Sequence, residues 1–406
     1  MVEQRTEARS GHRAGTPEFA RLQWAMLGAA LAAFALLYCT QPLLPAIGND
    51  LGISPATAIL TVSASTGALA LAILPLSALA ETVGRIRLMR IGLAVACVLV
   101  LASAASPALW MLVGLRALVG IALAAVVAVA MGHVGDEVHP SSLGSAMGVY
   151  VAGNSLGGVG GRLVAAAAGD GTSWRIGVLA VGALGAVAAL VFSRKIPEPV
   201  RFRPVPLRWQ TVRTNLGSHL RDSGIIRLCL IAFLLMGGFV ACYNYLGYRL
   251  LAQPFHLSQG VAGLVFLAYL AGTASSTLSG RLADRLGRRA TLLASAAVMA
   301  AGLALTLADV LAVVVIGLLI FTAGFFGAHA VASGWVSRRA ATARAQASAL
   351  YLLSYYAGSS VLGAATGIVF AEGGWSATVE VVGCYIGVAL VLAATLADER
   401  PAAFQR

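Results

Sequence analysis

The residues able to do chemistry in this 406-residue chain are few, and they stand inside long apolar runs. Arg116 interrupts a run over 107–131, about eight residues in. At 1.5 Å per helical residue that is roughly 12 Å deep. A guanidinium held at that depth in hydrocarbon marks a functional site by default. The alternative is a snorkelling or internally paired structural arginine. Arg162 lies only about six residues from the end of the run over 143–168, so it is expected to snorkel outward. Around these cations the apolar runs carry neutral polar residues: Tyr38, Thr40 and Gln41, then Asn154, then the tandem Tyr243-Asn244-Tyr245, then Tyr269, Ser354, Tyr355 and Tyr356. Buried polar groups in lipid need partners, and a polar-lined cavity supplies them. A cationic centre in such a cavity suits a small neutral or anionic organic compound.

Other chemistries find no support. No carboxylate stands in the middle of the first, fourth, seventh or tenth run, so a central proton-carrying acid is missing. His329 can titrate in principle, although a satisfied structural histidine is the simpler expectation. The five cysteines show no CxxC spacing, which argues for packing rather than zinc or disulfides. Gly153-Asn154-Ser155-Leu156-Gly157 fits the G-x-S-x-G pattern of a hydrolase elbow. It lies mid-run with no preceding strand, so it is rejected.

The elements that must position these residues follow from composition. The chain is 59% hydrophobic and only 11% charged, against about 25% charged in soluble domains. Runs near 24–46, 56–79, 88–105, 107–131, 143–168 and 174–193 are each long enough to span a membrane as helices. So are those near 225–248, 259–279, 290–307, 310–333, 346–370 and 375–397. Of the 28 cationic residues, 24 fall on the side that carries both termini, among them Arg5, Arg9, Arg203, Arg208, Arg400 and Arg406. Arg175 and Arg249 fall on the other side, and Arg116 and Arg162 fall within runs. By the positive-inside rule both termini are expected in the cytoplasm of a bacterial inner-membrane protein. The net charge of +12 is therefore a topology record rather than a nucleic-acid surface. Trp24, Trp110, Trp174, Trp335 and Trp375 stand near run ends, where an indole can meet headgroups.

The chain is also internally duplicated. Ser77-Ala-Leu-Ala-Glu81-Thr-Val-Gly84-Arg85 recurs about 203–205 residues later as Gly280-Arg-Leu-Ala-Asp284-Arg285-Leu-Gly287-Arg288-Arg289. Ala152-Gly153-Asn154-Ser155 recurs as Ala357-Gly358-Ser359-Ser360, with Gly158 opposite Gly363. Such parallel six-helix repeats are a transporter signature. The expected organisation is an N-terminal six-helix bundle over 1–193, a basic cytoplasmic linker over 194–223 and a C-terminal bundle over 224–406.

The segment Gly280–Arg289 resembles the G-x-L-A-D-R-x-G-R-R/K loop of the major facilitator superfamily at every defined position. The runs from Tyr38, Ala146 and Tyr243 resemble its YnfM-like efflux branch. The resemblance implies an all-α membrane fold of twelve helices in two pseudo-repeats, working by alternating access without a cofactor and with the proton gradient as energy source. It also implies that Gly280, Asp284, Arg285, Gly287 and Arg288 latch neighbouring helices. The first copy, with Glu81, Gly84 and Arg85, departs from the motif and is expected to latch more weakly. Arg116 with Gly120 resembles the family's R-x-x-x-G pattern, implicated in coupling or substrate contact. Loss of Arg116 is then expected to abolish transport while sparing the fold. Gly153, Gly157, Gly158 and Gly161 resemble a degraded antiporter motif, and close helix packing accounts for them and for Gly358 and Gly363 equally well. The expected function is proton-exchanged export of a small neutral or anionic compound by a monomer in the lipid bilayer. The alternatives are a proton-coupled importer of an organic acid and, from another class, an integral membrane transferase.

Overall fold

A computed structural model describes residues 11–202, 209–340 and 342–397. Arg5, Arg9, Arg203, Arg208, Arg400 and Arg406, counted in the charge bias, lie outside the described residues. The fold is helical throughout, and the only β-pairing among the described residues is an isolated bridge between His12 and Val138.

The first six helices are α1 (Pro17–Leu51), α2 (Pro55–Val83), α3 (Arg85–Ser103), α4 (Leu109–Glu137), α5 (Leu143–Gly169) and α6 (Trp174–Lys195). A short linker helix, Trp209–Arg221, leads to α7 (Ser223–Leu251), α8 (Gln259–Leu286), α9 (Arg288–Leu305) and α10 (Leu311–Arg339). The last stretch, Arg344–Ala394, is α11 (344–373) joined to α12 (375–394) through Gly374 alone, whose φ of 62° and ψ of −148° no helix accommodates. Ten of these stretches are long and apolar enough to cross a membrane, the joined α11–α12 counting as one. Glycine-rich α5, which carries Arg162, is not among these ten.

Local chemistry sets the ends. Thr16 caps α1 by accepting from the Phe19 N–H, with Pro17 in the first turn. Gly52, at φ 62°, turns the chain between α1 and α2. Helix α1 is broken at Cys39–Thr40, ahead of Pro42 and Pro45, and continues as a short 3₁₀ turn over Gln41–Leu43. That break exposes carbonyls one turn back, which matters below.

Glycines set the closest helix approaches. A Cβ on Gly153 would sit 2.8 Å from Ala30 Cβ, and one on Gly161 2.6 Å from Ala35 Cα, so α5 lies directly against α1. Gly157 faces Leu31 in the same seam, and Gly358 of α11 packs equally closely on Phe233 of α7. Gly158 and Gly363 do not share this: their nearest neighbours are the Arg162 guanidinium at 3.3 Å and Val240 at 3.5 Å. Four glycines are thus tight packing positions, and two are not.

The tryptophans divide. Trp24 and Trp110 are exposed, as an interfacial belt requires, whereas Trp174, Trp335 and Trp375 are buried. The indole of Trp174 donates to Asp50 and that of Trp375 to the Thr306 carbonyl. Proximity to a helix end does not decide which way an indole turns; the neighbouring helix does.

Candidate functional site

Six of the twelve helices meet around two buried arginines, and the two are held very differently. Arg116 is fully buried on α4. Its Nε donates to the Thr61 carbonyl at 3.1 Å, and its Nη1 to the Leu36 carbonyl at 2.9 Å and to Cys39 Sγ at 3.4 Å. Its Nη2 donates to the Leu37 carbonyl and to Ser65 Oγ. A guanidinium has five N–H donors, and each has a protein acceptor here. The acceptors at Leu36 and Leu37 are carbonyls that the break at Cys39–Thr40 leaves without helical partners. The expectation that Arg116 is the central charge facing substrate is therefore corrected: it is the internally paired structural arginine, clasping α1 and α2 to α4.

Arg162 is the second correction. It does not snorkel outward. Helical side chains lean toward their own N-terminus, and on α5 that direction leads back from the near end toward the membrane centre. Its Nη1 donates to the Gly158 carbonyl at 2.7 Å and its Nε to Gln41 Oε1 at 2.7 Å. The guanidinium carbon lies 4.3 Å from the ring centroid of Tyr38, 4.9 Å from Tyr269 and 5.2 Å from Phe266. Arg162 is only 3% exposed, and among the described residues no carboxylate pairs with it. Its Nη2 donates no hydrogen bond among them. The result is a desolvated cation in an aromatic cage with part of its donor fork unused.

Gln41 carries the site across the two halves, since its Nε2 donates to Asn244 Oδ1 at 2.7 Å. Gly158, Arg162, Gln41 and Asn244 thus form one chain through α5, α1 and α7. The tandem Tyr243-Asn244-Tyr245 does not line one cavity as expected. Successive helical residues point about 100° apart, so only Asn244 faces α1. Tyr243 shares a hydrogen bond with Thr322 on α10 at 2.7 Å and stacks beside Phe266 and Tyr269. Tyr245 turns to α11, donating to the Gly363 carbonyl and stacking on Phe370. Tyr355 joins a separate group with His329 and Tyr356, and His329 is hydrogen-bonded to Tyr351 at 3.0 Å. Asn154, one turn before Gly158, keeps a buried Oδ1 without a partner among the described residues.

Further hydrogen bonds join the halves at the centre or on the face opposite the termini. Ser360 donates to the Ser63 carbonyl, Thr273 to Ser155, Ser258 to Asp170 and Gln259 to the Pro42 carbonyl. Over the cage itself, between Gln41, Tyr243, Gln259 and Phe266, only about 20 Å³ of free space remains, roughly room for one water. The cage is closed from that face. No sequence motif marks Phe266 or these closing contacts. Phe266 was signalled only by standing one helical turn from Tyr269, and the closing serines carry no sequence signal that separates them from ordinary helix serines.

The two copies of the loop motif are paired differently. In the first, Arg85 accepts no compromise: it bonds Glu81 at 2.8 and 3.0 Å and Asp136 at 2.6 Å. In the second, Asp284 lies 3.8 Å from Arg288 and 3.7 Å from Arg338 and is largely exposed. Both loops turn at a glycine of positive φ, Gly84 at 102° and Gly287 at 91°. The longer Glu81 side chain reaches its partner one turn on, and Asp136 adds a second carboxylate that sequence alignment of the copies does not reveal. A Cβ added at Gly280 would meet nothing within 4 Å, so no close approach requires that glycine.

The family model described as Major Facilitator Superfamily matches residues 26–249 and 228–405. The chain is 42% identical over 379 residues to the inner membrane transport protein YnfM of Escherichia coli, covering 93% of this chain and 90% of that protein. It is 39% identical over 385 residues to the MFS-type transporter YybF of Bacillus subtilis, covering 95% of each. Among solved structures it resembles the nucleoside transporter NupG, with a TM-score of 0.74 at 15% identity over 92% of this chain and 98% of that one. It likewise resembles the peptide transporter POT, with a TM-score of 0.74 at 14% identity over 97% and 96%. At those identities the structural likeness speaks for the fold alone.

Proposed function

The chain belongs to the major facilitator superfamily and is a multi-pass membrane transporter rather than an enzyme; from that premise we propose that it exports a small organic compound in exchange for protons, with Arg162 at the centre of its substrate site. The observation that carries this reading is the caged guanidinium of Arg162, lying where both halves meet and, among the described residues, without a carboxylate partner. A buried cation without a counter-ion costs several kcal/mol. A site that leaves this unbalanced favours a ligand with negative or strongly electron-rich groups, and it disfavours cations. Tyr38, Asn244 and Tyr269 are the residues placed to touch that ligand, with Gln41 on the Arg162 edge it would take and Phe266 completing the wall.

Alternating access follows from the way the halves are joined. Their contacts close the face opposite the termini, and on this reading substrate reaches Arg162 from the terminal side. Opening the other face requires breaking Gln41–Asn244, Ser258–Asp170 and Ser360–Ser63 together. The charge bias supports placing the termini in the cytoplasm of a bacterial inner membrane, which makes this the state that loads an exported compound. Two six-helix bundles rocking about the site, held in one state by the Glu81–Arg85–Asp136 and Asp284 loops, complete the cycle.

Arg162's preference for negative groups equally favours the second reading, a proton-coupled importer of an organic acid. Proteoliposomes with an imposed pH gradient distinguish them. Substrate and protons moving in opposite directions support export by antiport; movement together overturns it. A third outcome, substrate flux indifferent to the gradient, removes proton coupling from either reading.

A further inference from the structure

We propose that the substrate is a small carboxylate with a flat apolar body, and that it binds by taking the Nε–Nη2 edge of Arg162 from Gln41. This rests on the transport reading above and narrows its substrate. The guanidinium fork presents two edges to a planar anion, and Nε with Nη2 makes the side-on one. In this structure Gln41 Oε1 holds Nε at 2.7 Å, while Nη2 on the same edge donates nothing. A neutral amide oxygen therefore occupies half of a position shaped for two carboxylate oxygens. The charge-assisted pair is about twice as strong as the neutral contact it replaces, and it supplies the counter-ion that the chain itself omits. The guanidinium carbon stands over the rings of Tyr38 and Tyr269 at 4.3 and 4.9 Å. An anion seated on the open edge therefore has its body beside rings, which selects a planar apolar substituent over a sugar-like one.

The displacement has a consequence for transport. Gln41 uses its other end to hold Asn244 across the halves at 2.7 Å, and Asn244 Nδ2 is itself buried without a partner. Once Gln41 is pushed off Arg162, the tie through α1 to α7 loses its anchor on α5. Substrate arrival thus loosens one of the contacts closing the far face. Binding energy of the anion is coupled to opening, and an empty carrier keeps the tie intact.

Purified full-length protein in detergent, probed with benzoate, benzamide and benzylamine, tests this by thermal shift and by equilibrium binding. Benzoate is expected to raise the melting temperature in a concentration-dependent way, with the isosteric benzamide at least ~10-fold weaker and benzylamine inert. Arg162→Lys keeps the charge without the fork and should weaken benzoate by about tenfold; Arg162→Gln should abolish its effect while the unliganded melting temperature stays close to wild type. Gln41→Ala is the decisive variant, because removing the competitor should tighten benzoate a few-fold, roughly 2- to 5-fold, where a damaged site would weaken it. Equal stabilisation by benzoate and benzamide overturns the carboxylate assignment, as does benzoate binding that survives Arg162→Gln. Weaker binding in Gln41→Ala overturns the displacement. None of these results depends on proton-driven flux, so failure here leaves the transport reading to its own assay.

Discussion

Arg116 and Arg162 are the same residue type at similar burial, 0% and 3% exposed, yet they stand at opposite ends of what a membrane-buried guanidinium can do. Arg116 has all five donors bonded, three of them to backbone carbonyls, two of which flank a helix break. Arg162 has two bonded donors and three aromatic neighbours, with one edge incompletely used. The first is a structural clasp whose charge is dispersed into fixed dipoles. The second holds its charge in reserve. The difference teaches that the depth of an arginine along a helix says it is expensive, and only its acceptors say what the expense supports.

The comparison can be broken most forcefully at Arg116. Arg116→Ala should strand the Leu36 carbonyl, at roughly 1–3 kcal/mol when unpaired, and remove the clasp on the carbonyls of Leu37 and Thr61. The expected result is loss of monodisperse protein on size exclusion or a large fall in melting temperature. This replaces the expectation from sequence that the fold survives and only transport fails. A well-folded, inactive Arg116→Ala protein would restore Arg116 to the substrate site.

Next in size is Arg162→Gln, which should reduce transport by on the order of 100-fold, as loss of a charged partner worth ~3 kcal/mol implies. Stability should change by less than ~1 kcal/mol, because an uncompensated buried charge leaves with the side chain. A collapse in stability equal to that of Arg116→Ala would erase the distinction between the two.

A smaller effect is expected at the cage wall. Tyr269→Phe retains the ring facing Arg162 and should leave transport within about twofold. Tyr269→Ala removes a desolvated cation–π contact worth ~2 kcal/mol and should cost roughly tenfold or somewhat more. Equal losses in both variants would assign the role of Tyr269 to its hydroxyl.

The smallest expected effect uses a third arginine as reference. Arg339 donates to Asp222 at 2.8 Å on the terminal face. Although burial alone would raise the Asp222 pKa, the Arg339 hydrogen bond and the Gly224 and Ile225 N–H groups take it below its usual value. Stability from this pair is complete above the ordinary carboxylate pKa and is lost as pH falls through the lowered one. Asp222→Asn should therefore flatten the acid limb of the melting-temperature profile by a small amount. Among the described residues neither Arg116 nor Arg162 pairs with a carboxylate, so their variants should leave that limb unchanged.

Much of the fold was legible because membrane solvation is a severe filter. Twelve apolar runs, the basic bias to one face and the repeat of the Gly280–Asp284–Gly287 loop follow from composition and spacing. The runs over 346–370 and 375–397 were separable although a single residue, Gly374, divides them. The site was less legible. Gln41, Asn244, Tyr38 and Tyr269 were picked out as polar residues in apolar surroundings, and the structure does bring these four together. Tyr245 and Tyr355 were picked out by the same signal but face other helices, since polarity does not report rotation about a helix axis. The Arg85–Asp136 pair was not legible, because Asp136, from α4, is distant in sequence from the motif it completes.

What the sequence by itself determined is the solvent of this protein and the budget of charge within it: hydrocarbon forces backbone polar groups into helices, and the few cations left inside must be answered. Which cation is answered by the chain and which by a ligand was decided only in three dimensions. A helix directs its side chains toward its own N-terminus, so α5 sends Arg162 back to the centre. The break in α1 leaves carbonyls at Leu36 and Leu37, so α4 finds acceptors for Arg116. Both outcomes depend on a neighbouring helix arriving at the right height, and no window along one segment contains that information.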